Sequence, residues 1–211
     1  MNESISAIVL AGGRSSRMGR NKLFLELDGL TFIDRIIRLL KPLFTEIIFI
    51  SNTLEHFKSY QFKVYGDLFP FFGPLAGIHS GLTHSPTDYN FIISIDMPFV
   101  STALINFLVD NVGEKPVTLP VAGNELQPLC GIYRKAVLPE IEKLLQNSTV
   151  NSSAQNGKIN VKLYDLLNSV EVQKVNVGKE EFYHEYLFHN VNTYADYLKA
   201  VEIAGKLKTD I

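Results

Sequence analysis

A glycine-rich and cation-rich segment follows the first apolar run of the chain. It reads AGGRSSRMGRNK over residues 11–22, and its four cations are Arg14, Arg17, Arg20 and Lys22. Glycines let backbone N–H groups approach phosphate oxygens closely, and the cations neutralise phosphate charge. The segment therefore predicts a cradle for a triphosphate. The alternative is a Gly-rich connector with solvated cations.

The spacing of the glycines excludes two common phosphate-binding loops. Five residues separate Gly13 from Gly19 and no Gly-Lys-Ser/Thr follows, so the segment is not a Walker A loop. It also lacks the Gly-x-Gly-x-x-Gly pattern of dinucleotide-binding folds. The segment therefore does not predict a common NTPase or dinucleotide-binding fold.

A carboxylate stands at the end of a second apolar run. Asp96 directly follows FIISI, residues 91–95, which reads as a strand buried on both faces. Its side chain should emerge at the carboxyl edge of the sheet, where α/β proteins bind their ligands. Mg²⁺ prefers one or two carboxylates together with substrate phosphates and water. Asp96 is therefore a candidate Mg²⁺ ligand, and the alternative is a cap on the following helix.

Polar groups also end the neighbouring apolar runs. Asn52 follows EIIFIS and can read a nucleobase edge with its amide, while Asp67 follows the run from Phe62 to Tyr65 and can face the same cleft. The alternative is that both are turn residues, because Asn and Asp are common in turns. Leu10 and Ala11 can present backbone groups to a base.

Two amides lie near the end of the chain. Asn190 and Asn192 alternate about Val191, so an extended backbone would direct both amides to one side. The alternative is a polar turn that caps the helix predicted from Ala195.

Alternating strand and helix patterns would position these residues. Strands are predicted at 5–10, 46–51, 62–65, 91–95, 116–121, 126–133 and 170–177, and helices at 31–41, 74–82, 102–109, 138–146 and 195–207. The alternation predicts a mostly parallel sheet covered by helices on both faces. Beyond residue 115, strands around Gly123-Asn124 predict mixed pairing at a sheet edge. The polar stretch 147–157 predicts a surface loop or lid.

Composition excludes several classes of protein. The 211 residues include 46% hydrophobic residues, 20 basic against 22 acidic residues and the single Cys130. We expect one domain over residues 1–211, no disulfide framework, and no field that attracts nucleic acid or an anionic membrane. No signal peptide and no apolar run of about 20 residues is evident. We therefore expect a cytoplasmic protein.

The motifs resemble a known family. Val9 to Gly13, with Arg17-Met18-Gly19 and Lys22, resembles the signature loop of nucleotidyltransferases with the GT-A-like, Rossmann-like fold. The resemblance extends to the molybdenum cofactor guanylyltransferases of the MobA type. The further blocks that carry it are GD at 66–67, GPLAG at 73–77, DMPF at 96–99, QPL at 127–129 and FHNVNT at 188–193.

The resemblance implies an α/β three-layer sandwich with a mostly parallel, partly mixed sheet. It also implies transfer of GMP from GTP to the terminal phosphate of molybdopterin, with Mg²⁺ as cofactor and transient contact with cofactor-biosynthesis or target-enzyme proteins. By position, the implied nucleotide-binding residues are Leu10, Ala11, Gly12, Gly13, Lys22, Asn52, Asp67 and Asp96. The implied acceptor-binding residues are Asn190 and Asn192, and the implied catalytic residues are Lys22, Arg17 and Asp96, with Asp96 as metal ligand.

The chain departs from the family pattern at two places. Asn21 stands where many relatives carry Asp, and Gln127-Pro128-Leu129 stands where His-Pro-Thr is common. Three other functions therefore stay open. They are cytidylyl transfer to molybdopterin or methylerythritol phosphate, activation of a sugar phosphate, and noncatalytic nucleotide binding in cofactor delivery.

Overall fold

A computed structural model describes residues 4–12, 22–154 and 162–209. Its strands are β1 (Ile5–Leu10), β2 (Glu26–Leu27), β3 (Leu30–Thr31), β4 (Ile47–Ile50), β5 (Lys63–Tyr65), β6 (Tyr89–Ser94), β7 (Val117–Ala122), β8 (Glu125–Leu126), β9 (Cys130–Arg134) and β10 (Val172–Asn176). Its α-helices are α1 (Phe32–Leu40), α2 (Pro74–His84), α3 (Thr102–Asp110), α4 (Leu138–Ala154), α5 (Leu163–Ser169) and α6 (Tyr194–Thr209).

The main sheet has the order β10-β7-β9-β6-β1-β4-β5, with β8 paired to β7. Strands β6, β1, β4 and β5 are parallel neighbours. Because their carboxyl ends lie at one edge, the segments that follow them share that edge. This is the mostly parallel arrangement that the sequence predicts.

The mixed pairing lies inside the sheet rather than at its edge. Strand β9 is antiparallel to both β6 and β7 and lies between them. After β7 the chain reverses through β8 and returns as β9, and this reversal makes the pairing antiparallel. The prediction of mixed pairing is confirmed, but its predicted location at an edge is wrong, because β7 and β10 extend the sheet beyond β9.

Two hydrophobic cores cover the faces of the sheet. Buried residues of α1, α3 and α6 pack on one face with Ala7 and Val9 of β1. Buried residues of α2, α4 and α5 pack on the other face with Ile8 and Leu10. The alternation of β1 between the two cores is what a strand buried on both faces requires. The architecture is the predicted three-layer α/β sandwich.

Five of the six α-helices in the described residues overlap the predicted helices, whereas α5 was not predicted, and one predicted helix is extended. Thr31 caps α1 by accepting a hydrogen bond from the Asp34 amide at 3.1 Å, which places the start of the helix where the sequence predicts it. Helix α4, predicted to end at Gln146, continues to Ala154, so the loop predicted from residue 147 is wrong up to that point. Ser, Thr and Asn lower helix propensity by only a fraction of a kcal/mol each, about 0.5, and no Pro or Gly interrupts the segment. Residues 155–157 of the predicted loop lie outside the described residues. Within those residues, no helix is long and apolar enough to cross a membrane.

Candidate active site

The carboxyl edge of the sheet brings the predicted strand-end residues into one row. The Ile95 amide donates to the Leu10 carbonyl at 3.1 Å, and the Ala11 amide donates to the Ile50 carbonyl at 2.9 Å. These bonds continue the strand pairing one step beyond the ends of β6 and β1. Across the edge, the segments after β6, β1, β4 and β5 therefore present Asp96, Leu10 to Gly12, Asn52 and Asp67 in that order.

At the Asp96 end of this row, Lys22 contacts two other polar side chains. Its Nζ lies 3.2 Å from Asp96 Oδ2 and donates to Asn192 Oδ1 at 3.0 Å. The side chains of Lys22 and Asp96 are 18% and 15% exposed, so the ion pair is largely shielded from water. The end of the cationic segment therefore reaches Asp96 as the sequence predicts, and a third segment from near the end of the chain joins them.

The Asp96 carboxylate is held on both oxygens. Oδ1 accepts a hydrogen bond from Ser94 Oγ at 2.6 Å, while Oδ2 faces Lys22. The alternative role of Asp96 as a helix cap is wrong, because Ser101 caps α3 by accepting from the Leu104 amide. The carboxylate is therefore available at the edge of the sheet.

The segment before α6 both caps that helix and delivers Asn192. Asp196 Oδ2 accepts hydrogen bonds from the Asn192 and Thr193 amides at 2.9 and 2.7 Å, and Thr193 Oγ1 accepts from the Asp196 amide. Desolvation alone would raise the pKa of Asp196, but these bonds outweigh it and lower the pKa. The fully buried Val191 donates its amide to the Asp96 carbonyl at 2.9 Å and anchors the segment.

The two asparagines of this segment make different contacts. Asn192 reaches Lys22, whereas Asn190 Nδ2 donates to the Phe188 carbonyl of its own segment at 3.3 Å. The two sequence interpretations are therefore compatible, since the turn caps a helix and still places one amide against the Lys22–Asp96 pair.

Asn52 and Asp67 form a pair at the other end of the row. Asn52 Nδ2 donates to Asp67 Oδ2, and the Asp67 amide donates to Asn52 Oδ1, both at 2.8 Å. Burial raises the pKa of Asp67, and the Asn52 hydrogen bond partly opposes the shift. The Asn52 amide retains one N–H and one oxygen lone pair for a ligand.

Close packing fixes this pair beside β1. A Cβ at Gly77 of α2 would lie 3.1 Å from Leu10 Cδ2 and 3.8 Å from Asp67 Oδ1. Glycine at this position therefore lets α2 lie against both the strand end and Asp67.

Part of the predicted cradle lies outside the described residues. This applies to Gly13, Arg14, Arg17 and Arg20, while Leu10, Ala11, Gly12 and Lys22 lie within them. Sequence reasoning missed Ser94 and Asp196. The signal for Ser94 was a hydroxyl two residues before Asp96 in an apolar strand, since residues i and i+2 share a face.

The donor set at Asp96 fits Mg²⁺ bound together with a nucleotide. Within residues 4–12, 22–154 and 162–209, no group of three or more His, Cys, Asp or Glu side chains could hold a metal ion. Asp96 Oδ2 already faces a cation, the Lys22 ammonium. A single carboxylate that substrate phosphates and water complete is the coordination that Mg²⁺ favours over an all-protein cage.

Comparisons with known proteins identify the family. The family described as MobA-like NTP transferase domain matches residues 7–159. A Clostridium perfringens protein named "Probable molybdenum cofactor guanylyltransferase" is 39% identical over 199 residues, which are 94% of this chain and 98% of the relative. A protein of the same name from Carboxydothermus hydrogenoformans is 33% identical over 204 residues, 95% and 97% of the two chains.

A solved structure shares the fold. It is the molybdopterin-guanine dinucleotide biosynthesis protein A of Archaeoglobus fulgidus, with a TM-score of 0.76, 24% identity, and coverage of 95% of this chain and 99% of that one. The residues that the family model matches include the carboxyl end of β1, all of β6 and Asp96. The chain therefore belongs to the MobA-type family and is a nucleotidyltransferase of molybdenum cofactor biosynthesis.

Proposed function

We propose that the enzyme transfers GMP from GTP to the terminal phosphate of molybdopterin. A phosphate oxygen of the pterin attacks the α-phosphorus of GTP, a new P–O bond forms, and the bond to the β-phosphate breaks as pyrophosphate leaves. The attacking group is already anionic, so that no protein nucleophile is required. The observation that carries the proposal is the convergence of Lys22, Asp96 and Asn192 within hydrogen-bond distance at the carboxyl edge.

The row of strand ends suits an extended nucleotide. Three strand spacings separate β6 from β5, which is about 14 Å. We assign the Asn52–Asp67 end to the base and ribose, and the Asp96 end to the phosphates. Between them, backbone groups of Leu10 to Gly13 would approach the nucleotide closely.

The electrostatic part of catalysis falls on a few residues. Lys22 and Arg17 would neutralise the departing pyrophosphate, as preorganised cations do in phosphoryl transfer. Asp96 Oδ2 would hold Mg²⁺, which supplies charge neutralisation at the phosphates. Since the reactants are all anionic, alignment and charge neutralisation are the main tasks of the protein.

The acceptor would lie on the side of the 188–193 segment. Asn192 is exposed and its amide reaches the Lys22–Asp96 pair, so that it can contact a phosphate or pterin group beside the α-phosphorus. Asn190 lies two residues away on the same segment, and we assign it a supporting contact with the acceptor.

Pyrophosphate release tests the proposal directly. GTP, CTP, ATP and UTP are each incubated with Mg²⁺ and with molybdopterin, methylerythritol phosphate or a sugar phosphate. We expect release with GTP and molybdopterin, and none when either is omitted. Pyrophosphate release with CTP but with no other nucleotide would indicate a cytidylyltransferase instead. Release only with methylerythritol phosphate or a sugar phosphate would indicate a transferase for that acceptor.

A further inference from the structure

Ser94 contacts Asp96 but has no role in the proposed reaction as described above. It is the last residue of β6, it is 8% exposed, and its hydroxyl donates to Asp96 Oδ1 at 2.6 Å. A serine hydroxyl has a single proton to donate. The single hydroxyl proton of Ser94 is therefore donated to the carboxylate that faces Lys22.

This hydrogen bond orients the Asp96 carboxylate. With Oδ1 held by Ser94, Oδ2 is the oxygen directed at Lys22. The terminal torsion of an aspartate is broad and roughly two-fold, so a carboxylate without such a partner samples a wide range of orientations. The bond therefore adds a second anchor to a carboxylate that Lys22 alone would hold at one oxygen.

Ser94 itself lies on a rigid platform. Its amide donates to the Leu129 carbonyl at 2.9 Å, and its strand pairs with β1 on one side and β9 on the other. The preceding Pro128 carbonyl accepts a hydrogen bond from the hydroxyl of Tyr133 at 2.7 Å, and Tyr133 is fully buried. The donor is therefore fixed by the sheet.

We propose that Ser94 is a positioning residue that fixes the Asp96 carboxylate with Oδ2 toward the metal–nucleotide complex. The inference rests on the proposed function, in which Asp96 binds Mg²⁺. Groups that hydrogen-bond a metal-binding carboxylate typically change metal affinity or activity by about 10–100-fold when they are removed. Ser94 acts through Asp96 and does not touch the substrate.

The test measures metal binding separately from turnover. Mn²⁺ replaces Mg²⁺, and free Mn²⁺ is measured by electron paramagnetic resonance with GTP alone and with GTP and enzyme, both without acceptor, so that the difference reports binding to the enzyme. We expect Ser94→Ala to weaken Mn²⁺ binding by about tenfold and to lower kcat by a similar factor, with the KM for GTP changed less than about threefold. Ser94→Thr keeps the hydroxyl and should retain most of the affinity.

Ser6 provides the matched control. It is a fully buried serine of β1, distant from the carboxyl edge, and its Oγ accepts a hydrogen bond from Thr87. Ser6→Ala should change thermal stability about as much as Ser94→Ala and leave Mn²⁺ binding unchanged. If Ser94→Ala does not fold, Ser94→Cys, with its similar size and weak donor, takes its place.

Two results would overturn the inference. One is wild-type Mn²⁺ affinity and kcat in folded Ser94→Ala, and the other is an equal loss in folded Ser94→Thr and Ser94→Ala. A wild-type enzyme that binds Mn²⁺ with GTP but releases no pyrophosphate with molybdopterin would instead refute the proposed function. The metal-binding comparison of the Ser94 variants still decides the role of Ser94 in that case.

Discussion

Asp96→Asn separates the catalytic role of the carboxylate from its structural one. Asparagine has nearly the same shape and keeps an oxygen that can accept the Ser94 hydrogen bond, but it removes the charge that faces Lys22 at 3.2 Å. We expect turnover to fall about 100-fold to 1,000-fold, which is the usual effect of removing one preorganised electrostatic group. GTP binding should survive in part, because Lys22 and the Asn52–Asp67 pair remain.

The structure sets the expected loss of stability much lower. At 3.2 Å and an effective dielectric constant of about 20, the direct attraction between the Lys22 and Asp96 charges is about 5 kcal/mol. Part of this is offset because the variant no longer desolvates a charge at residue 96, and Lys22 keeps its hydrogen bond to Asn192, so the free energy of unfolding should fall by about 1–3 kcal/mol. Large loss of turnover with small loss of stability is therefore the signature of this variant.

Pyrophosphate release at saturating GTP and molybdopterin, with a parallel urea titration, measures both quantities. Asp88→Asn is the matched control, since Asp88 pairs with Arg134 at the opposite end of β6, about 20 Å away. Its turnover should stay near the wild-type value. Turnover of Asp96→Asn within about threefold of the wild type, or an equal loss in both variants, would refute the assignment of Asp96.

Three further predictions concern other parts of the molecule. Lys22→Ala should raise the Kd for GTP and lower kcat, as measured by calorimetry and pyrophosphate release, and a change in Tm alone would contradict the cradle assignment. Burial raises the pKa of Asp67 above its ordinary 3.8, so the native state holds this proton more tightly and stability falls as pH rises through that window. Asp67→Asn removes this effect, and urea titrations from about pH 3.5 to 7 should show its stability relative to wild type increasing with pH; a constant difference would argue against it. Gly131→Ala should destabilise the protein by about 1–3 kcal/mol, because the added Cβ would lie 2.7 Å from the Thr118 carbonyl oxygen. Gly205→Ala should stabilise α6 by about 1 kcal/mol, because a Cβ there would meet no atom within 4 Å. A lower Tm for Gly205→Ala than for Gly131→Ala would contradict the packing described.

The parallel part of the sheet could be predicted because its strands are short apolar runs that end in polar residues. The run before Asp96 is buried on both faces, so that a carboxylate can emerge only at its ends, and Asp96 follows the carboxyl end. The segment that leads to Lys22 begins at the neighbouring strand end, which favours its approach to Asp96. Here local sequence and topology agree.

Longer-range features could not be predicted in this way. Asn192 is 170 residues from Lys22, and no periodicity connects them. The insertion of β9 between β6 and β7 depends on non-local pairing, in which Gly131 allows a close approach to Thr118. Helix α4 continues through a polar stretch because moderate helix formers follow an established helix more readily than they begin one.

The destination of the α-phosphate tests the central claim most directly. GTP labelled at the α-phosphorus is incubated with the enzyme, Mg²⁺ and molybdopterin. The products are then separated, and the mass and label content of each are measured. We predict that the label moves to a pterin product heavier by one GMP unit, in equal amount to the pyrophosphate released. Label that stays in GTP or appears as free GMP, with the pterin unchanged, would contradict the account.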